Sequence, residues 1–355
     1  GSVILGGQTL TLTNANGVFA GSINGSGGLA LTGGVETLTG NTSHTGATTI
    51  GHGGTLALAG TASIASSSGV VADGTLDVAG MTGAAAVKTL SGSGSVILGG
   101  QSLTLTAASG NFSGAISGAG GLAIASGTET LSGTNTYSGD TGIGHGATLA
   151  LAGAGSIASS RVVDNGTLDI SAARGGAAIK SLAGGGDVLL GANTLTLSAA
   201  GDSFGGRMSG AGGLSVTGGT ETLTADQGYT GATDVADGAT LLLAGSGAIA
   251  ASSAVTVDGN LGIGATTDGA SIKSLSGSGQ VDLGARTLAL TQANGNFAGT
   301  ISGAGGLNVD GGTETLSGVN AYTGGTAIAT GATVARGGQG SIAASSVVDD
   351  AGTFD

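Results

Sequence analysis

The sequence predicts an all-β chain folded as a right-handed parallel β-helix, a single elongated rod of stacked coils. Three observations predict this fold. The chain repeats itself every 92 to 93 residues, it contains 79 glycines and no proline in 355 residues, and its apolar residues alternate with polar ones in short runs. A chain with 2% aromatic residues has small aliphatic side chains for a core, which suits thin stacked layers.

The repeat is clearest in the stretch GTETLSGTNTYSG, which begins at Gly127 and returns in near copies from Gly34, Gly219 and Gly312. We therefore expect one continuous β-helix fragment over residues 1–355. Its internal repeats are 1–93, 94–185, 186–278 and 279–355, the last of them incomplete.

The elements of one repeat read as short strands joined by turns. In TLTLT from Thr9 and GLAL from Gly28, leucine occupies every second position and small or hydroxyl residues lie between, as in a strand with one buried side. Gly, Asn and Asp clusters separate the runs and favour turns. Only GAAAVK, before Thr89, could form a helical turn.

Two further features favour a coil over a closed sheet. The second repeat has lost one residue in a serine-rich corner, between SIASSSGVVADG and SIASSRVVDNG, and the pattern after it is unchanged. At three short strands per turn we expect roughly 18 to 25 residues per coil. Because each coil hydrogen-bonds the next, a proline would remove a ladder bond, which accounts for its absence.

The stretch GGLALTGGVETLTGNTSHTGATTIGHGGTLALAG, from Gly27, resembles the passenger-associated transport repeat, also called the autotransporter-associated β-strand repeat, of type V secreted bacterial proteins. The matching pieces are Leu29 to Leu31, Thr37 to Thr39, Asn41 to Gly46 and Thr55 to Leu58. They recur from Gly120, Gly212 and Gly305. The chain departs from the family pattern where His44 replaces the corner tyrosine and where the lysine after the first strand is missing.

The resemblance implies the passenger domain of a bacterial surface protein, located outside the cell. Members of that family are exported through an outer-membrane β-barrel, so we expect this chain to be a fragment of a longer protein that carries such an anchor. The absence of cysteine suits export through an oxidising periplasm. A net charge of −13, with eight basic residues, disfavours nucleic acid as a partner.

The ionisable residues suggest no site. Glutamates recur at 36, 129, 221 and 314 without a fixed acidic neighbour, and we interpret them as outward residues beside a strand. Asp73, Asp258 and Asn165 precede glycine and read as turn formers. The three histidines, His44, His52 and His145, lack converging ligands. We therefore predict no catalytic, cofactor-binding or metal-binding residue.

The aromatic residues recur with the same period. The phenylalanines at 19, 112, 204 and 297 are flanked by small residues and are predicted to fill the coil interior. The tyrosines at 137, 229 and 322 lie in the NTYSG corner and are predicted to be exposed, four coils apart, where rings can stack on sugars. That spacing is too sparse for a continuous binding strip.

These observations favour a non-catalytic stalk or adhesin that binds itself, or glycans or proteins of a host or matrix surface, in biofilms or host contact. A filament-forming subunit and a polysaccharide-acting β-helix enzyme are the alternatives. Ice binding is a further one, because TLTLT resembles flat threonine arrays, but the full motif comes only once per repeat.

Overall fold

The computed structural model describes all 355 residues, and its regular structure consists of strands without a helix. The chain divides into two compact units, Gly1–Ala177 and Ala178–Asp355. Each unit is a parallel β-solenoid, and together they comprise about 18 turns. The predicted all-β, parallel coil is thus confirmed, while its right-handed sense and the continuity of one rod stay predictions.

The first unit contains short strands of two to seven residues. They are β1 (Ser2–Ile4), β2 (Leu10–Leu12), β3 (Ala15–Phe19), β4 (Ser22–Asn24), β5 (Leu29–Leu31), β6 (Gly34–Leu38), β7 (Thr48–Ile50), β8 (Gly54–Gly60), β9 (Val70–Ala72), β10 (Thr75–Met81), β11 (Ala85–Val87), β12 (Leu90–Ser91), β13 (Ser95–Gly99), β14 (Leu103–Leu105), β15 (Asn111–Phe112), β16 (Ala115–Gly118), β17 (Leu122–Ile124), β18 (Gly127–Leu131), β19 (Thr141–Ile143), β20 (Ala147–Gly153), β21 (Val162–Asp164) and β22 (Thr167–Ala173).

The division between the units falls within β23 (Ala177–Ile179). The second unit repeats the same succession of strands. They are β24 (Leu182–Gly184), β25 (Asp187–Gly191), β26 (Leu195–Leu197), β27 (Ser203–Phe204), β28 (Arg207–Gly210), β29 (Leu214–Val216), β30 (Gly219–Leu223), β31 (Gly228–Tyr229), β32 (Thr233–Val235), β33 (Ala239–Gly245), β34 (Val255–Val257), β35 (Asn260–Thr266), β36 (Ala270–Ile272), β37 (Leu275–Ser276), β38 (Gln280–Asp282), β39 (Leu288–Leu290), β40 (Asn296–Phe297), β41 (Thr300–Ser302), β42 (Leu307–Val309), β43 (Thr313–Leu316), β44 (Thr326–Ile328), β45 (Thr333–Arg336), β46 (Val348–Asp350) and β47 (Thr353–Phe354).

Each turn of a unit contributes one strand position to each of three faces. One face of the first unit stacks β2, β5, β7, β9 and β12, and the bridge from Gly92 to Phe112 continues it through β15, β18, β20 and β22. Successive coils differ by 19 residues, as from Leu29 to Thr48, or by 22, as from Thr48 to Val70. This confirms the coil length predicted from the sequence.

The serine-rich corner absorbs the missing residue of the second repeat. Thr48 pairs with Val70, 22 residues later, whereas the equivalent Thr141 pairs with Val162, 21 residues later. The strands on both sides keep their register, so the corner tolerates a change of length without disturbing the ladder.

The sequence repeat is not a whole number of turns. One repeat holds the twelve strands β2 to β13 and the two partners of one isolated bridge, Asn41 and Ser63, which makes fourteen strand positions. At three positions per turn, a repeat covers four turns and two further faces. Leu10 of β2 therefore stacks on Leu29 of β5, whereas its equivalent Leu103 stacks on Ala85 of β11 in a different sheet.

The second unit shows the same rotation, because β26 and its equivalent β39 also belong to different sheets. Consecutive copies of a surface residue within a unit therefore face different directions. The expected spacing of four coils between equivalent residues is wrong, and the spacing is four and two-thirds turns.

The core consists of inward columns of Leu, Ile and Val. Leu29, Val70 and Leu90 lie in one column and are at most 1% exposed. Phe112, Phe204 and Phe297 are fully buried, which confirms their predicted role, while Phe19 is partly buried. The stretch GAAAVK forms strand β11 and not a helical turn.

One glycine of the repeated motif is required by the backbone. Gly127 has a φ of 80°, and a Cβ there would lie 2.0 Å from the carbonyl oxygen of Ala108 on the preceding coil. Its equivalents Gly34, Gly219 and Gly312 have φ values between 76° and 80°. A side chain at this position would strain the backbone and would also clash with the neighbouring coil.

Candidate functional site

The polar side chains of the NTYSG corner lie inside the solenoid. Tyr137 and Tyr322 are 0% exposed and Tyr229 is 1% exposed. The prediction that these tyrosines are exposed and available for stacking on sugars is therefore wrong. The ring points inward because its hydroxyl has a buried polar partner, which removes the usual cost of burying a phenol.

That partner begins a short chain of buried hydroxyl groups. The Tyr137 hydroxyl lies 2.6 Å from Thr141 Oγ1, and Thr141 Oγ1 lies 2.7 Å from Ser160 Oγ. Ser160 donates to the carbonyl oxygen of Gly139 at 2.7 Å. Since Ser160 has one hydroxyl proton, it accepts from Thr141, which in turn accepts from Tyr137.

The hydroxyl chain recurs in every repeat. Its members keep the spacing i, i+4 and i+23. The other three chains are His44, Thr48 and Ser67; Tyr229, Thr233 and Ser252; and Tyr322, Thr326 and Ser345. Each threonine occupies an inward place that other coils fill with Leu, Ile or Val, so this spacing was visible in the sequence and could have indicated the buried chain.

His44 occupies the tyrosine position of the first repeat and is 0% exposed. Its Nε2 lies 2.9 Å from Thr48 Oγ1, and Thr48 donates to Ser67, so the imidazole donates from Nε2. The tautomer with hydrogen on Nε2 leaves Nδ1 without a proton, and this buried atom has no hydrogen-bond partner. Burial lowers the pKa of His44.

The asparagine of the motif joins three consecutive coils. Asn135 Oδ1 accepts from the backbone N–H of Ile116 at 2.9 Å. Its Nδ2 donates to the carbonyl oxygens of Gly133 and Ser156 at 3.0 and 3.1 Å. Asn320 makes the equivalent bonds in the fourth repeat, and Gln227 bonds Met208, Gly206 and Ala225 in the third.

The repeated glutamates also lie inside the coil. Glu129, Glu221 and Glu314 are 0% exposed, and only Glu36 is partly exposed. The prediction that they face outward is therefore wrong for three of the four. In β18 the strand alternation places Thr128 and Thr130 outside and Glu129 inside with Leu131. The side on which Glu129 lies is therefore set by the strand alternation and not by the charge of its carboxyl group.

The predicted turn formers connect neighbouring coils. Asp73 Oδ1 accepts from the backbone N–H and the hydroxyl of Ser93, at 3.0 and 3.1 Å, twenty residues later. Asp258 does the same with Ser278. One ion pair, between Arg161 and Asp140 at 3.1 Å, lies on the surface. His52 and His145 are exposed.

With the motif residues inside, the outward faces present small side chains. Thr128, Thr148 and Thr167 pair in register on three consecutive coils and form an outward column, which we call the threonine column of the first unit. Thr313, Thr333 and Thr353 form a similar column in the second unit. Hydroxyls in such a column repeat at about 4.8 Å, the spacing of neighbouring strands.

Depressions in the surface are lined mostly by small residues, except one that is lined by larger side chains such as Leu10, Phe19 and Glu36. One of 290 Å³ lies between the corner around Ala62 and the turn around Thr82, and no ionisable side chain lines it.

No group of three or more His, Asp or Glu residues is placed to hold a metal ion. No helix long and apolar enough to span a membrane occurs in the structure.

Comparisons of the chain with protein-family models, with curated proteins and with solved structures found no match. The structure establishes a parallel β-helical repeat protein. The resemblance to the passenger-associated transport repeat rests on the motif residues themselves. The Asn, Tyr, Thr and Glu positions of the motif are interior in the second, third and fourth repeats, with Gln227 at the Asn position of the third, whereas Glu36 of the first repeat is partly exposed.

Proposed function

We propose that this chain is a non-catalytic, β-helical stalk or display segment of a bacterial surface protein, which brings its outward faces into contact with other cells or surfaces. The observation that carries the proposal is that the residues of the repeat divide into a buried polar set and an outward set. Its distinctive polar residues are buried, and its outward positions hold many small hydroxyl and aliphatic side chains beside scattered charged ones.

A solenoid of this kind suits a spacer. Each coil contacts its neighbours, so length is gained by adding coils without a new core. The resemblance to passenger repeats supports a place outside the cell and export of the type V kind. The acidic balance of the chain, −13, favours a soluble segment that does not bind nucleic acid.

The adhesive contact is proposed to use the threonine columns. Rows of hydroxyls along stacked strands offer donors and acceptors at a regular spacing, which suits sugar hydroxyls or the same face of a second copy. Replacing outward threonines on a sheet costs little stability, because their hydroxyls are solvated, so the contact can be tested without damaging the fold.

The test is to immobilise the purified chain and measure its binding to itself, to matrix proteins and to a panel of glycans. The triple variant Thr128→Val, Thr148→Val and Thr167→Val is expected to reduce that binding several-fold with an unchanged unfolding profile. No binding to any of the three would leave a spacer as the function. Full binding by the triple variant would reject the threonine column of the first unit as the contact.

A further inference from the structure

The interior glutamic acids of the second and fourth repeats are buried side chains that the proposed function does not use. Glu129 lies in the middle of β18 with 0% exposure. Its Oε2 accepts one long hydrogen bond, 3.3 Å, from the backbone N–H of Gly110, and its Oε1 has no partner. Glu314 is equally buried, and neither of its carboxyl oxygens has a well-formed hydrogen bond.

A glycine on the preceding coil makes room for each carboxyl group. A Cβ at Gly110 would lie 2.9 Å from Glu129 Oε2, and one at Gly295 would lie 3.1 Å from Glu314 Oε1. The same arrangement exists in the first repeat, where a Cβ at Gly17 would lie 3.3 Å from Glu36 Oε2. The space next to the glutamate thus recurs in the first, second and fourth repeats, whereas the third repeat has Asp202 at the glycine position.

No cation compensates these carboxyl groups. Strands β12, β15, β17 and β20, which surround Glu129, contain no Asp, Glu, Lys, Arg or His. Around Glu314, β37, β40 and β42 contain none either. Strand β45 carries Arg336, which is exposed and lies over the Phe354 ring, 5.5 Å from its centroid. An ionised carboxylate in such a place is strongly disfavoured.

We propose that the closed packing of the coils around Glu129 and Glu314 depends on protonation of their carboxyl groups, and we call each such site a proton lock. Each site takes up one proton when the chain folds, the carboxyl group stays neutral in the closed solenoid, and loss of the proton loosens the coils that enclose it. The proton comes from solvent and binds a carboxylate oxygen, so no other reactant is needed.

The direction of the titration agrees with this geometry. Burial raises the pKa of Glu129 and of Glu314 from 4.5 to about 8, and interactions with the backbone of Gly110, and of Gly295 and Leu275, partly oppose the rise. The folded chain therefore holds protons that the unfolded chain has released. Stability from these sites is complete below the unfolded pKa of 4.5 and is lost as the pH rises towards the folded value of about 8.

The decisive experiment compares the pH dependence of unfolding in three proteins. In the unsubstituted chain, each site changes the local folding equilibrium by about tenfold per pH unit in this window. The double variant Glu129→Gln and Glu314→Gln, which is neutral at every pH, is expected to lose that dependence. The control variant Glu36→Gln, at the partly exposed equivalent, is expected to keep it.

Hydrogen exchange of amides in β18, β20, β43 and β45 gives the local readout, because a solenoid can open coil by coil. An unchanged pH slope in the double variant overturns the proposal. If that variant does not fold, the unsubstituted chain decides. A protonated-carboxyl infrared band at neutral pH that disappears on unfolding supports the lock, and the absence of such a band in the folded chain overturns it.

Discussion

The Tyr137 hydroxyl donates to Thr141 Oγ1 across 2.6 Å within the aliphatic interior of the first unit. Thr141 is stacked between Leu122 and Val162, so it interrupts a hydrophobic column with a hydroxyl group. The chain through Ser160 to the carbonyl oxygen of Gly139 satisfies that group. The most recognisable residues of the repeat therefore fix the corner of the coil from inside.

Removing the middle of the hydroxyl chain is expected to destabilise the coil. Thr141→Val removes the acceptor of the Tyr137 hydroxyl, and an unsatisfied buried group costs about 1–3 kcal/mol, while Ser160 keeps its bond to the carbonyl oxygen of Gly139. The measurement is amide exchange in β19 and its neighbours. Thr148→Val, an outward threonine on β20, is the matched control and should change the unfolding free energy by less than about 0.5 kcal/mol.

The first repeat is expected to weaken in acid. Burial lowers the pKa of His44, so the unfolded chain binds a proton more readily than the folded one. Stability is present above the unfolded pKa of 6.5 and falls as the pH drops below it. His44→Tyr restores the residue of the other repeats and should remove this loss, as measured by exchange in β7 at acidic and neutral pH.

His52→Tyr is the control for that experiment, because His52 is exposed. Equal acid sensitivity of the His44→Tyr variant and the unsubstituted chain would show that another group causes the loss.

Two glycines with similar backbone conformation are expected to differ in their tolerance of a side chain. Gly127 and Gly146 have φ values of 80° and 75°, but a Cβ at Gly127 meets Ala108 at 2.0 Å while one at Gly146 meets nothing within 4 Å. Gly146→Ala should cost about 1–2 kcal/mol for its left-handed backbone. Gly127→Ala should cost clearly more, and equal unfolding midpoints would contradict this explanation.

Association between copies is expected to increase with salt. Two chains that each carry a net charge of −13 repel, and this repulsion is screened beyond a Debye length of about 10 Å at 0.1 M ionic strength. Sedimentation of the purified chain in increasing sodium chloride measures the effect. A decrease of association with salt would instead point to complementary charges at the contact.

The fold could be predicted from the sequence because its signals are local and repeated. Alternating leucines, turn glycines and the lack of proline all favour stacked coils, and the length change in the serine-rich corner showed that the strands keep their register. Sequence analysis also placed the phenylalanines correctly, since Phe112, Phe204 and Phe297 are fully buried.

The positions of the polar residues were predicted less well. The general expectation that polar residues lie outside disagrees here with the alternation of the strands, which places some of them inside. Glu129 and Tyr137 were predicted outside, although Glu129 has the same parity as the inward Leu131. Their burial depends on contacts one coil away, with Gly110 for the glutamate and Ser160 for the hydroxyl chain. Such partners are about twenty residues distant and are found only once the coil length is known.

Because one repeat covers a fractional number of turns, the number of repeats determines to which side the following side chains point. Removing one copy from within a unit would leave the hydrogen-bonded ladder intact and turn every following side chain to another face. Three copies make fourteen complete turns, so gains or losses in threes keep the original orientation. A lineage that varies its copy number by one would thereby turn the following surface residues to another side without altering any of them.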